Sequence, residues 1–165
     1  MKATNYGRGS VLVLKPESKF RNSYSKIDLI VVGMANLINI VMVALFAARM
    51  SGLPHVVENG LGVVAMIMGF TLGYIAFLNR KNERDKWMTY LLIPIFLFFI
   101  VELILDYILA LDFRSTSLVG PYILLYYIGL WGLIGYSFKV DKKWGFVTLA
   151  TYFANMTLSI LPYII

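Results

Sequence analysis

The sequence contains no cysteine, which excludes disulfide staples, thiolate metal sites, iron–sulfur clusters and thiol nucleophiles. It contains one histidine, His55, so bis-histidine haem ligation within the chain is excluded as well. Charge is scarce: 15% of the residues are Asp, Glu, Lys or Arg, against about 25% in an average soluble domain. No nucleophile elbow, P-loop, HExxH zinc motif, GxGD protease motif or dinucleotide fingerprint is present, so no reaction is named by a motif.

What fills the chain instead is apolar. Of its 165 residues 59% are hydrophobic, and its mean hydropathy is +0.75. These residues come in long blocks separated by short polar stretches, which a soluble core does not require. A hydrocarbon layer about 30 Å thick is crossed by about 20 residues at 1.5 Å rise each. Five blocks approach that length: 27–48, 61–78, 87–111, 118–138 and 144–165. None shows the ten-residue alternation of a barrel strand. The expected fold is all-α, a polytopic integral membrane bundle of five transmembrane helices forming one domain over 27–165. A basic arm over 1–26 precedes it, and a multi-pass place in the cell membrane follows from this. The fifth block is the weakest, diluted by Thr148, Thr151, Asn155, Thr157 and Ser159.

Charge gives an independent check on the span count. The chain carries a net charge of +6. Five spans place the N-terminal arm and the turns at 80–86 and 139–143 on one side. Those segments hold six, four and three of the fifteen Lys and Arg residues, leaving only Arg49 and Arg114 opposite. The positive-inside rule then sets the N-terminus in the cytoplasm and the C-terminus outside. The same placement assigns the basic residues to anionic lipid head groups rather than to nucleic acid. Trp87 and Trp144 begin spans on that side, as interfacial anchors do. Ser25 and Asp28 have the spacing of a capping box at the start of the first span. The longest outer loop is expected at 49–60.

Within the spans, Glu102 and Asp106 are the strongest candidates for function. Four residues apart on one helix, they share a face. Ionisable groups at membrane depth are costly and by default face the bundle interior or a water-filled cavity. The pair suits a proton, a cation, or the charged head of a cationic or lipidic ligand, and lies in the outer half. Asn36 and Asn39 in the first span, and Thr151 and Asn155 in a polar stripe of the fifth, lie at similar depth. They are candidate lining residues for the same site, or hydrogen-bonded joints between helices. No metal site, cofactor or catalytic residue is expected. His55 and Glu58 in the outer loop, with Asp106 and Asp112, are metal-capable but lack specific spacing.

Two other patterns concern packing. Ala65, Gly69 and Gly73 in the second span, and Gly129, Gly132 and Gly135 in the fourth, permit close helix contact, within the chain or between copies. In the fourth span they neighbour Tyr126, Tyr127 and Trp131, where an apolar slot is conceivable. Pro94 removes the backbone bond to the Tyr90 carbonyl and predicts a kink in the third span. The leading functional expectation is a small transport or ligand-binding module. The alternatives are a non-catalytic subunit or assembly factor of a larger membrane complex or homo-oligomer, and a lipid-modifying enzyme that uses the two carboxylates.

Overall fold

A computed structural model describes residues 25–111 and 116–161. Its described residues are all helical or in turns. The elements are α1 (Lys26–Met50), α2 (His55–Lys81), α3 (Lys86–Tyr90), α4 (Ile93–Glu102), a π-helical turn (Leu103–Ile108), α5 (Val119–Val140) and α6 (Lys142–Ile160). The arm before Ser25, together with Asp112 and Arg114, lies outside the described residues.

Local chemistry explains the boundaries. The Ser25 hydroxyl accepts from the Ile27 amide at 3.3 Å and starts α1. Asp28 follows in the first turn, where a negative charge suits the helix dipole. The same helix ends in a Schellman motif: Leu53 N–H donates to the Ala48 carbonyl and Gly52 N–H to Arg49. That motif needs a left-handed residue after the cap, and Gly52 supplies it at φ +63°. The turn to α2 is therefore short. The loop expected over 49–60 is replaced by helix from His55 onward, with Glu58 in the favourable first turn and Gly60 and Gly62 tolerated inside.

The end of α2 repeats the motif with a less suited residue. Arg84 N–H reaches the Asn79 carbonyl, Glu83 N–H reaches Arg80, and Glu83 holds φ +50°. Asp85 then caps α3 by accepting from the Trp87 amide at 3.1 Å. The third apolar block is not one continuous α-helix. With no N–H at Pro94, α-helical bonding lapses at Leu91 and Leu92 and resumes at Ile93. Beyond Glu102 the coil widens, with Leu109 N–H bonding the Ile104 carbonyl five residues back. It ends on Ala110, a left-handed non-glycine at φ +47°.

The long helices run alternately up and down in a ring, α1 beside α2, α2 beside α4, α4 beside α5, α5 beside α6, and α6 back against α1. Val31, Ile38, Leu72, Leu92, Ile95, Phe98, Leu130 and Leu133 are almost wholly buried in its centre. Glycines allow the close contacts. A methyl group on Gly69 or Gly73 would overlap Phe99 or Phe96 of α4, so this small-residue face is consumed inside the chain. Gly132 faces the break itself, where a Cβ would overlap the Leu91 carbonyl oxygen.

The outside of the bundle is as apolar as its core. Ile67, Phe77, Leu124, Trp131, Phe146 and Phe153 are all more than half exposed. A surface of this kind suits lipid rather than water. Four segments are long and apolar enough to cross a membrane: Lys26–Met50, His55–Lys81, Lys86–Ile108 and Val119–Val140. The fifth block also forms a helix, α6, of 19 residues, but its polar side chains keep it out of that group. Except for Thr157, those side chains turn inward. Thr148 and Asn155 are fully buried, while Phe146, Val147 and Phe153 face out.

Candidate functional site

Two clusters of polar residues and a pair of cavities that share Glu102 divide the bundle, and a further cavity of about 610 Å³ lies beside Arg84 and Tyr90. One cluster lies at the end where α1 and α3 start and α2 and α5 finish. Arg84 Nη2 donates to both Asp28 oxygens, at 2.7 and 2.8 Å, and its Nη1 donates to Asn79 Oδ1 at 3.0 Å. The Tyr136 hydroxyl of α5 donates to the same Asp28 oxygen at 2.9 Å. Close by, Lys139 is paired with Asp85 at 2.7 Å. Asp28 is only 7% exposed, so its carboxylate depends on these donors. It does not complete a capping box with Ser25; Arg84 and Tyr136 take it up instead. Burial works against the Arg84 charge, but its hydrogen bond to Asp28 and the Asp28 charge outweigh this, and its pKa is raised.

The second cluster joins α1, α6 and α5 at mid-height. Asn36 Nδ2 donates to Thr148 Oγ1 at 3.1 Å, and Thr151 Oγ1 donates to Asn36 Oδ1 at 3.0 Å. Asn39 Nδ2 donates to Thr151 at 3.0 Å, and Asn155 Nδ2 donates to Asn39 Oδ1 at 3.2 Å. Thr148 continues the chain to Ser137 of α5, at 3.0 Å. The four candidates Asn36, Asn39, Thr151 and Asn155 are thus brought to one another. Their bonds join helices, the arrangement by which polar side chains hold apolar bundles together. None of the four lines the two cavities described next.

Glu102 and Asp106 stand apart from that cluster, at the other end. Glu102 is the last residue of α4 and Asp106 lies in the π turn. The wider turn keeps both carboxylates on one side, and both line a cavity of about 280 Å³. Arg49, Glu58, Asn59 and Tyr107 complete its wall. Arg49 Nε lies 3.4 Å from Glu58, and His55 Nδ1 lies 3.8 Å from the same carboxylate while remaining exposed. Among the described residues, no three His, Cys, Asp or Glu side chains converge as ligands for a metal ion.

Glu102 also lines a second, larger cavity of about 460 Å³ between α1, α4, α5 and α6. Arg49 and Leu45 are the other residues common to both. Seven aromatic side chains line this second cavity, and all but Phe46 touch in sequence. Tyr122 packs on Phe98 (5.1 Å between centroids), Phe98 on Tyr126 (4.9 Å), and Tyr126 on Tyr127 (5.4 Å). Tyr127 then meets Tyr152 (6.5 Å), and Tyr152 meets Trp131 (6.0 Å). All these contacts are tilted or edge-on. The tyrosine hydroxyls lead outward from the chain of rings. Tyr122 donates to Glu102, Tyr126 accepts from Asn155 at 2.7 Å, and Tyr127 pairs with Ser159 at 2.9 Å. Trp131, 61% exposed, is the most exposed of its aromatic wall residues.

Sequence reasoning singled out Tyr126, Tyr127 and Trp131 as neighbours of an apolar slot, but not Phe98, Tyr122 or Tyr152. It also missed Asp28, Arg84 and Tyr136. The fold and the site together define a class: an all-helical bundle with four membrane-capable helices and an aromatic cavity ending on a carboxylate. Beyond that class, no protein-family model matches the chain, and no curated protein or solved structure is significantly similar to it.

Proposed function

We propose that the chain is a five-span protein of the cell membrane that binds, and moves across it, a protonatable or cationic solute at Glu102 and Asp106. The observation that carries this reading is the position of Glu102 on the wall of two cavities at once. A half-buried carboxylate at such a junction exchanges a proton or a cation between two compartments more readily than one sealed in a core. Between them the two cavities are lined by Glu58, Glu102 and Asp106 against one guanidinium, Arg49, so the local field favours a positive ligand.

The fifth span and the orientation belong to the same proposal. α6 presents apolar residues outward and spends its polar ones on α1 and α5, which offsets the dilution of its sequence. The thirteen-to-two division of Lys and Arg then sets the N-terminus inside and the acidic end outside. Reporter fusions after Val140 and after Ile160 should give opposite sides of the membrane.

The functional test is flux. Reconstituted in proteoliposomes, the protein should carry protons or monovalent cations above the rate of protein-free vesicles. Glu102→Gln combined with Asp106→Asn should abolish it. No flux, or flux that survives both substitutions, overturns the transport reading.

A further inference from the structure

We infer that the aromatic cavity takes an amphipathic organic cation, with its charged head at Glu102 and its apolar body against the aromatic chain. This rests on the reading of Glu102 as a binding group and adds the class of ligand. Three features of the cavity support it, and each excludes a different alternative.

The first is size. A volume of about 460 Å³ falls within the about 300–1,000 Å³ typical of small-molecule sites. A bare proton or metal ion needs none of that space. The second is the wall. Tyr122, Phe98, Tyr126, Tyr127, Tyr152 and Trp131 form an unbroken run of rings, none stacked face to face on the next. An edge-on contact occupies one face of only one ring of the pair, so the run keeps more face than a stack would, and the negative face of an aromatic ring attracts cations and repels anions. A lipid acyl chain would be served as well by Leu and Ile, which predominate elsewhere in the bundle.

The third feature is polarity. Apart from hydroxyls and the Trp131 indole N–H, the polar side chains on this wall are Glu102 and Arg49. Arg49 is bonded to Glu58, and Glu102 is held at the end of the aromatic chain by the Tyr122 hydroxyl. With the Arg49 charge offset by Glu58, the charged end of the cavity favours a cationic head over an anionic one. Trp131, Ile123 and Ile160 bring this wall to the apolar flank of the bundle, where a ligand that partitions into lipid would meet it.

A matched pair of probes tests this. Tetraphenylphosphonium and tetraphenylborate have the same shape and opposite charge. The purified full chain in nanodiscs should bind the phosphonium saturably and at least about tenfold more tightly than the borate, read by calorimetry and tryptophan fluorescence. Glu102→Gln should weaken phosphonium binding about tenfold or more. Trp131→Leu, at an exposed position that the fold does not need, should weaken it about two- to thirtyfold, the range of a single cation–π contact. Equal binding of the two probes, or phosphonium binding indifferent to Trp131→Leu, overturns the inference even if Glu102→Gln fails to fold. Absent phosphonium binding with proton or small-cation flux retained also overturns it, and leaves the proposed function standing. Loss of both removes the proposed function as well.

Discussion

Arg84 Nη2 lies 2.7 and 2.8 Å from the two oxygens of Asp28, joining the turn after α2 to the first turn of α1. The reach depends on the backbone. Arg84 is the residue whose N–H closes the Schellman turn on Asn79, and its side chain returns to the Asn79 side chain as well as to Asp28. Removing one partner of a buried ion pair strands the other. Asp28→Asn should therefore cost about 3 kcal/mol, at the low end for buried pairs because Arg84 keeps some solvent contact. Asp28→Asn with Arg84→Gln should cost less than the two single changes added together. Unfolding in detergent, followed by circular dichroism, measures both. A single-substitution cost near zero would show that the pair holds nothing.

The same turn contains a correctable strain. Glu83 occupies the left-handed region, which costs a non-glycine residue about 1–2 kcal/mol. Glu83→Gly should stabilise the protein by about 1 kcal/mol, less what the more flexible unfolded chain takes back. Glu83→Ala, which keeps a Cβ, should give no such gain. Equal effects of the two substitutions would show that the side chain matters and the backbone does not.

Gly132 and Gly33 provide a contrast in packing. A methyl group at Gly132 meets the carbonyl oxygen of Leu91, a backbone atom that no rotamer change can move aside, whereas nothing lies within 4 Å of a Cβ at Gly33. Gly132→Ala should destabilise by about 3 kcal/mol as an overpacking defect. Gly33→Ala should stabilise by up to about 1 kcal/mol through helix propensity. Thermal midpoints of the two variants should move in opposite directions, and movement in the same direction would contradict the α5–break contact.

Hydrogen bonds within the mid-height cluster should be individually modest. Thr151→Val removes the donor to Asn36 Oδ1 and the acceptor for Asn39 Nδ2. Bonds of this kind average about 0.6 kcal/mol in membrane bundles and reach about 1.7, so the loss should be about 1–2 kcal/mol. Thr157→Val, whose hydroxyl bonds only the Phe153 carbonyl of its own helix and is exposed, should be close to neutral.

The acid limb of stability should report on Asp85. The hydrogen bond from Lys139, then the Trp87 amide, hold its pKa below the ordinary value of 3.8. A group whose folded pKa is depressed stabilises above its unfolded pKa and loses that contribution as pH falls through the folded one. Asp85→Asn should therefore flatten the pH dependence below 3.8 by the same small amount that it lowers neutral stability, small because the pair is solvent-exposed. Arg84 has the opposite sign: its raised pKa keeps its contribution in place throughout the pH range in which an ordinary arginine is charged.

Much of this architecture is legible in the sequence because hydrophobic blocks, Pro94 and the small-residue spacings act locally. The stripes on α1 and α6 are legible for the same reason: spacings of three and four put Asn36 with Asn39, and Thr151 with Asn155, on single faces. That the two stripes bond each other is a fact of tertiary packing. Asp28 and Arg84, 56 residues apart, carry no local signal of their partnership, and Asp28 reads equally well as a capping residue. Pro54 and Gly60 suggest a loop running to residue 60, but Gly52 makes the turn by itself. Of the aromatic cavity, Tyr126, Tyr127 and Trp131 on α5 are visible beside the glycines, but Tyr122 is not. Phe98 and Tyr152 come from helices far apart in the chain and join the run of rings only once α4 and α6 pack against α5.

The inward-turned polarity of α6 has a consequence for how the protein is made. Read alone by the insertion machinery, a segment carrying Thr148, Thr151, Asn155 and Ser159 is the poorest candidate of the five for entering lipid. Its partners, Asn36 and Asn39 on α1 and Ser137, Tyr126 and Tyr127 on α5, are all translated before it. In the five-span arrangement α6 enters lipid onto a surface that earlier helices have already assembled. Changes to Asn36 or Asn39 would then surface first as a C-terminal helix left outside the bilayer, a defect of biogenesis at a site more than a hundred residues away.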